Sequence, residues 1–254
     1  FTGSTEVGKI LSINAGSGLK RFVGELGGIN PFIIFSDADI EKAVTDLVIR
    51  KTKAAGQACS AQNILFLEKD IANDVIEKIE SKFLEIESLP TDKYASALMG
   101  PIRTKKALED LYSFEERLNQ SGARCIINKN QKHVGDGFFY NPAAYLCEEP
   151  DLFMEHEIFA PVLGICVFDD RKSLKKQLHN NQQPLVLYAY SQDHTFLNQF
   201  ITSLNYGSIG LNNTGIQGAQ APTGGFKEAG LGRKGGAWGL SEFTTTINIK
   251  EVFS

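Results

Sequence analysis

Apolar residues recur at Ile40, Ala43, Val44, Leu47 and Val48, the spacing of one helix face, and Ser36-Asp37-Ala38-Asp39 supplies a cap ahead of them. That helix is expected to end near Gly56. The same periodicity predicts helices over about Ile71–Ile86, from Ile71, Val75, Ile76, Ile79 and Phe83, and over about Thr104–Ser121, with Gly122 as a fitting C-terminal cap. Shorter helices are expected at Arg171–Asn180 and His194–Leu204. Between them lie short apolar runs expected as strands: Phe22–Leu26, Pro31–Phe35, Asn63–Leu67, Ala123–Ile127, Leu163–Phe168, Leu185–Tyr190 and Ser208–Leu211. Phe1–Gly8 reads as a strand end, a glycine turn and a helix start, with Thr2, Ser4 and Thr5 as candidate caps. Gly135–Pro150 reads as an irregular hairpin or loop, and Asn212–Gly239 as a long glycine-dominated loop. The tail Glu242–Val252 alternates as a strand would. Helices alternating with strands imply an α/β fold with a largely parallel sheet flanked by helices.

Composition narrows the class. The 254 residues are 42% hydrophobic and 22% charged, which suits one large globular domain or two small ones. No apolar run approaches the roughly 20 residues of a membrane span, so no membrane partner is expected. The net charge of −4, with Lys and Arg scattered, argues against a nucleic-acid partner. Cys59, Cys125, Cys147 and Cys166 lie far apart with no C-x-x-C pair, which disfavours a zinc site and a disulfide scaffold and points to a reducing, cytoplasmic setting. Phe1-Thr2-Gly3-Ser4 resembles the end of a buried strand, which needs neighbours to pair with. The chain is therefore expected to be the C-terminal part of something longer.

Several clusters can carry chemistry, and each also has a plainer reading. Cys59 lies in Ala55-Gly56-Gln57-Ala58-Cys59-Ser60, between a helix and a strand; it is either a thiolate nucleophile facing a pocket or a buried structural cysteine. Glu25, ahead of Leu26-Gly27-Gly28, is either a general base or an exposed strand-end carboxylate. Phe1-Thr2-Gly3-Ser4-Thr5 can present backbone N–H groups to a phosphate, but lacks the spacing of a dinucleotide fingerprint or P-loop. Glu155-His156-Glu157-Ile158-Phe159-Ala160-Pro161-Val162 is a charged turn or, with Cys59, half of a hydrolase dyad; a metal site there lacks enough spaced ligands, so no metal is expected. The run Thr223–Arg233 is a phosphate cradle or a tightly packed loop.

Taken in order, FTGST, ELGG, GQAC, EIFAPV and GGFKEAGLGR make the chain resemble the NAD(P)-dependent aldehyde dehydrogenase superfamily over nearly its whole length, with a possible kinship to the enzymes for succinate semialdehyde. The resemblance implies three parts: residues 1–28 as the last piece of a Rossmann-like cofactor domain, 29–243 as the catalytic domain, and 244–254 as an oligomerisation strand that helps form homodimers or homotetramers. It implies that Cys59 attacks the aldehyde, that the Cys59 N–H and an Asn outside this chain hold the oxyanion, and that Glu25 activates the hydrolytic water. Glu157 would hold the nicotinamide ribose, with Phe159 beside the ring, Gly3 and Ser4 along the cofactor path and the Leu26 backbone near the carboxamide. The loop Gly215–Gly225, with Gln217 and Thr223, would wall the substrate entrance.

Asn63, Ala160 and Thr223 depart from the commonest family residues. Lys53 stands where enzymes for succinate semialdehyde carry an Arg and can hold a carboxylate tail, without the Arg fork. The implied cofactor is NAD or NADP, bound weakly or not at all by these residues alone. Two other functions compete with this one: a non-catalytic domain kept for assembly or binding, and a cysteine hydrolase using His156.

Overall fold

A computed structural model describes residues 1–88, 99–130, 137–216 and 218–252. Its centre is a seven-stranded sheet in the order β4-β5-β6-β3-β2-β7-β8. The strands are β2 (Pro31–Ile34), β3 (Ile64–Glu68), β4 (Arg124–Asn128), β5 (Ala143–Cys147), β6 (Val162–Phe168), β7 (Val186–Tyr190) and β8 (Ser208–Leu211). Only β4 runs antiparallel to its neighbour; the other pairings are parallel. The central strands Pro-Phe-Ile-Ile, Ile-Leu-Phe-Leu-Glu and Val-Leu-Tyr-Ala-Tyr are apolar without alternation because helices cover both faces of a parallel sheet. A second, two-stranded sheet joins β1 (Gly24–Glu25) antiparallel to β9 (Gly230–Leu231).

The helices are α1 (Thr5–Ser17), α2 (Ile40–Thr52), α3 (Ala72–Leu84), α4 (Lys105–Gln120), α5 (Asp151–Glu155), α6 (Arg171–Asn180), α7 (His194–Ile201) and α8 (Gly236–Glu242). Short polar side chains start five of them: Ser4, Asp39, Thr104, Asp170 and Asp193 each accept from a first-turn N–H that the helix leaves unpaired. Each such cap is worth about 1 kcal/mol. The apolar stripe of α2 (Ala43, Val44, Leu47, Val48) is fully buried, as is that of α3 (Val75, Ile79, Phe83), and both join one core with the central strands. Among the described residues, no helix is long and apolar enough to cross a membrane.

Five expectations are corrected. The strand expected at Phe22–Leu26 shrinks to Gly24–Glu25, because its partner offers only two residues before Gly232 turns away at φ +81°. Phe1 is not a buried strand end: it is 44% exposed, and only Thr2 bridges to Glu25. The described part of the irregular segment holds β5, whose run Ala-Ala-Tyr-Leu-Cys lacks β-branched residues yet is buried between β4 and β6. The helix expected to reach Leu204 stops at Ile201, where Ser203 takes a positive φ. Among the described residues the tail joins no strand over residues 244–252; Arg21 donates to the Thr244 carbonyl at 2.7 Å, and Ile247 and Ile249 are 78% and 84% exposed. Alternation sets which face is apolar, but a strand forms only against a neighbour whose N–H and C=O groups it can bond.

Candidate active site

Since β2, β3, β6 and β7 are parallel, the segments leading into them converge at one edge of the sheet. Ligands of open α/β sheets usually bind outside the carboxyl ends of the strands; here the candidate residues gather at the opposite, amino-terminal edge. Asn30, fully buried just before β2, ties three of these lead-ins together. Its Nδ2 donates to the Cys59 carbonyl at 2.7 Å and the Ala61 carbonyl at 2.8 Å, and its Oδ1 accepts from the Val186 N–H at 2.9 Å. Its own carbonyl accepts from Asn63 N–H at 3.0 Å.

The nucleophile loop is fixed from both ends. Helix α2 ends at Thr52 rather than near Gly56, and Ala54, Ala55 and Gly56 then take φ of 53°, 55° and 69°. Glycine is required at the last of these, since a Cβ on Gly56 would stand 2.4 Å from the Ala160 carbonyl oxygen. Beyond Cys59, Arg50 bonds the Ser60 hydroxyl, and the Tyr188 hydroxyl donates to the Ser60 carbonyl at 3.0 Å. Asn63 is buried, and its Nδ2 donates to the His156 carbonyl at 2.8 Å, which ties β3 to the turn carrying Glu157. Cys59 itself is half-buried. Burial pushes its thiol above the ordinary range, Lys234 and Arg50 draw it back down, and Glu157 and Glu25 push it further up. Desolvation thus outweighs the pull of the two cations.

Glu25 is on the small ribbon. Its N–H donates to the Phe1 carbonyl at 2.9 Å and its carbonyl accepts from Gly3 N–H at 3.1 Å. Its side chain is only 11% exposed, unlike the exposed strand-end carboxylate of the plainer reading. Lys234 Nζ lies 3.1 Å from Oε2, while Oε1 is buried with no hydrogen-bond partner among the described residues.

Glu157 meets the Gly27-Gly28 turn, its Oε1 accepting from Gly28 N–H at 3.3 Å. A Cβ on Gly27 would stand 2.4 Å from Oε2, so the carboxylate has the room only glycine leaves. Burial raises the Glu157 carboxyl to about 7, against the Gly28 N–H and the charge of Lys51, both of which lower it. Lys51 is fully buried, donates to the Gln62 carbonyl at 2.6 Å, and has its amine drawn down to about 7 by burial.

The other candidates fall in three places. Gly3 and Ser4 stand at the N-terminus of α1, where Ser4 Oγ caps Val7 N–H at 3.4 Å, and Leu26 N–H donates to the Ala229 carbonyl. Phe159 is 48% exposed and lines a cavity of about 680 Å³ with Gln57 and Arg103. Thr223 pairs its backbone with Lys234 (2.7 and 2.8 Å), and both line a cavity of about 470 Å³. Lys53 lines a separate groove between α2 and α3, with Ile49 and Lys82, and Gln217 lies outside the described residues. Among the described residues no hydrogen bond joins His156 to Cys59, and His156 is exposed. An exposed helix N-terminus, a carboxylate held open by glycines and an exposed aromatic ring are a donor set that fits phosphate, ribose hydroxyls and a flat ring, the parts of a dinucleotide.

Sequence reasoning missed Asn30, Lys51 and Lys234. Lys51 did leave a signal: it continues the α2 stripe of Val44, Leu47 and Val48, a lysine on a face that should be apolar. Asn30 and Lys234 left none, since a polar residue before a strand and a lysine beside glycines both read as turn.

An α/β fold with a cysteine and a carboxylate gathered at one sheet edge is the class these observations define. Residues 1–249 match the model of the aldehyde dehydrogenase family, and the chain belongs to that family. A succinate-semialdehyde dehydrogenase of Paenarthrobacter nicotinovorans is 33% identical over 98% of this chain and 55% of its own length. Among solved structures, an aldehyde dehydrogenase from Brucella melitensis biovar abortus 2308 matches with TM-score 0.89 and 31% identity, over 96% of this chain and 50% of that one. An NAD+ complex of aldehyde dehydrogenase from Bacillus cereus matches with TM-score 0.91 and 27% identity, over 96% and 50%. The chain spans about half the length of the curated relatives it matches.

Proposed function

We propose that the protein oxidises an aldehyde to a carboxylic acid through a thioester on Cys59. The observation that carries this is a half-buried cysteine in a clamped loop that feels the charge of Glu25, a carboxylate whose Oε1 has no hydrogen-bond partner among the described residues. Cys59 Sγ attacks the carbonyl carbon as thiolate, and the Cys59 N–H stabilises the oxygen of the thiohemiacetal. A bound nicotinamide dinucleotide, NAD or NADP, supplies the hydride acceptor that leaves a thioester on Cys59. Glu25 then takes a proton from water, the hydroxide adds to the thioester carbonyl, and Cys59 departs as thiolate with release of the acid. In this reading Glu157 holds the nicotinamide ribose, Phe159 flanks the ring, Gly3 and Ser4 meet the diphosphate, and the Leu26 backbone meets the carboxamide.

We infer an aldehyde with a carboxylate tail as substrate class, supported by the names of the similar relatives. The exposed Ile247, Ile249 and Val252 of the tail support its use in a homodimer or homotetramer. In the whole protein, succinate semialdehyde with NAD or NADP should yield reduced dinucleotide and acid in equal amounts, faster at equal concentration than butanal. Cys59→Ser should lower the rate by at least about a thousandfold. Retained activity in that variant overturns the assignment.

A further inference from the structure

Glu25 presents two unlike oxygens. Oε2 is held by Lys234 Nζ at 3.1 Å, and Oε1 is buried and, among the described residues, unpaired. Lys234 is itself anchored, its backbone bonded in both directions to Thr223 at 2.7 and 2.8 Å, so the ammonium is aimed by the loop that walls the 470 Å³ cavity. Its neighbour Arg233 is engaged elsewhere, donating to the carbonyls of Gly225 at 3.0 Å and Gly232 at 2.7 Å. Among the described residues Lys234 is the cation in an ion pair with Glu25. Other charges around this edge are engaged elsewhere: Arg50 on Ser60, Lys51 on the Gln62 carbonyl, the Phe1 ammonium on the Val23 carbonyl, and Glu157 on Gly28.

We propose that Lys234 is the positioning residue of the deacylation step: it grips Oε2 and leaves Oε1 as the atom that receives the proton of water. This rests on the reading of Glu25 as the base. Without the ammonium the carboxylate loses the contact that fixes which of its oxygens is free for the water. The same ammonium lowers the Cys59 thiol, so one lysine serves both groups.

The step can be isolated without any dinucleotide. With p-nitrophenyl acetate, the Cys59 thiolate attacks the ester carbonyl and p-nitrophenolate leaves. Water then loses a proton to Glu25, its oxygen adds to the acetyl thioester, and acetate is released as the thiolate returns. The burst of p-nitrophenolate reports acylation, and the steady rate reports deacylation. Both are measured on the full chain against a Cys59→Ser blank.

Lys234→Met should keep a full burst amplitude, which certifies a folded site. Its steady rate should fall by about tenfold, the scale of one lost charged contact. Lys234→Arg should restore the wild-type rate, and ethylammonium added to Lys234→Ala should restore part of it. An unchanged steady rate in Lys234→Met, or an arginine variant no better than methionine, overturns the proposal. Glu25→Gln separates the two readings: a burst followed by no turnover supports Glu25 as base whatever Lys234 does, and a wild-type steady rate rejects that base and this proposal with it.

Discussion

Cys59 is held by the main sheet, and Glu25 by a ribbon made from the first and last parts of the chain. Around the cysteine, Asn30, Tyr188, Arg50 and the Gly56–Ala160 contact act from different elements, so the loop has little freedom. Around the glutamate, a two-residue pairing, two bonds to Phe1 and Gly3, and one lysine suffice. The contrast fits two different tasks. A nucleophile must meet its carbonyl in one geometry, and small misplacement is costly. A base that works through water has that water as an adjustable link. Damage to the first region should therefore fall on acylation and stability together, and damage to the second chiefly on deacylation.

Asn30→Ala is the hardest blow to that contrast. It leaves the Cys59 and Ala61 carbonyls and the Val186 N–H without their partner. Stability should fall by about 2–4 kcal/mol, read by urea unfolding, and the p-nitrophenolate burst should slow by about a hundredfold. Deacylation of the acetylated enzyme should change by less than about threefold. An equal loss in both steps would mean that the two regions are one unit.

Glu157 tests a smaller effect. Its folded value of about 7 lies above the ordinary 4.5, so between those values the folded chain holds more protons than the unfolded one. Stability from this group is greatest at low pH and is lost as pH rises from about 4.5 to 7. Glu157→Gln should flatten the fall of Tm across pH 5 to 7, an effect on the order of 1 kcal/mol. Lys51 acts above that window: its folded value of about 7 lies below the ordinary 10.5, so its contribution grows as pH rises from 7. A Tm profile as steep in the variant as in the parent would show that Glu157 does not carry this slope.

The parallel core was legible from the residues because it obeys simple rules. Runs such as Pro31–Ile34 and Val186–Tyr190 are apolar throughout, and short acidic or hydroxyl residues stand ahead of the helices. β5 escaped because Ala-Ala-Tyr-Leu-Cys has weak strand preference and is decided by its neighbours. The tail differs for the converse reason: its alternation is real, and among the described residues no strand lies beside it. The Cys59 and Glu25 motifs were readable as candidates, and the order of five motifs marked the family. What held them was not readable: the Glu25–Lys234 pair joins positions far apart in the chain, and Asn30 becomes a clamp only when three lead-in segments reach the same edge.

The central claim is that Cys59 and Glu25 perform successive halves of one oxidation. The most direct test is the intact and peptide mass of Glu25→Gln after mixing the whole protein with succinate semialdehyde and NAD or NADP. The account predicts one equivalent of reduced dinucleotide, no further turnover, and an acyl group added on the Cys59 peptide alone. Continuous turnover with an unmodified Cys59 peptide would contradict it.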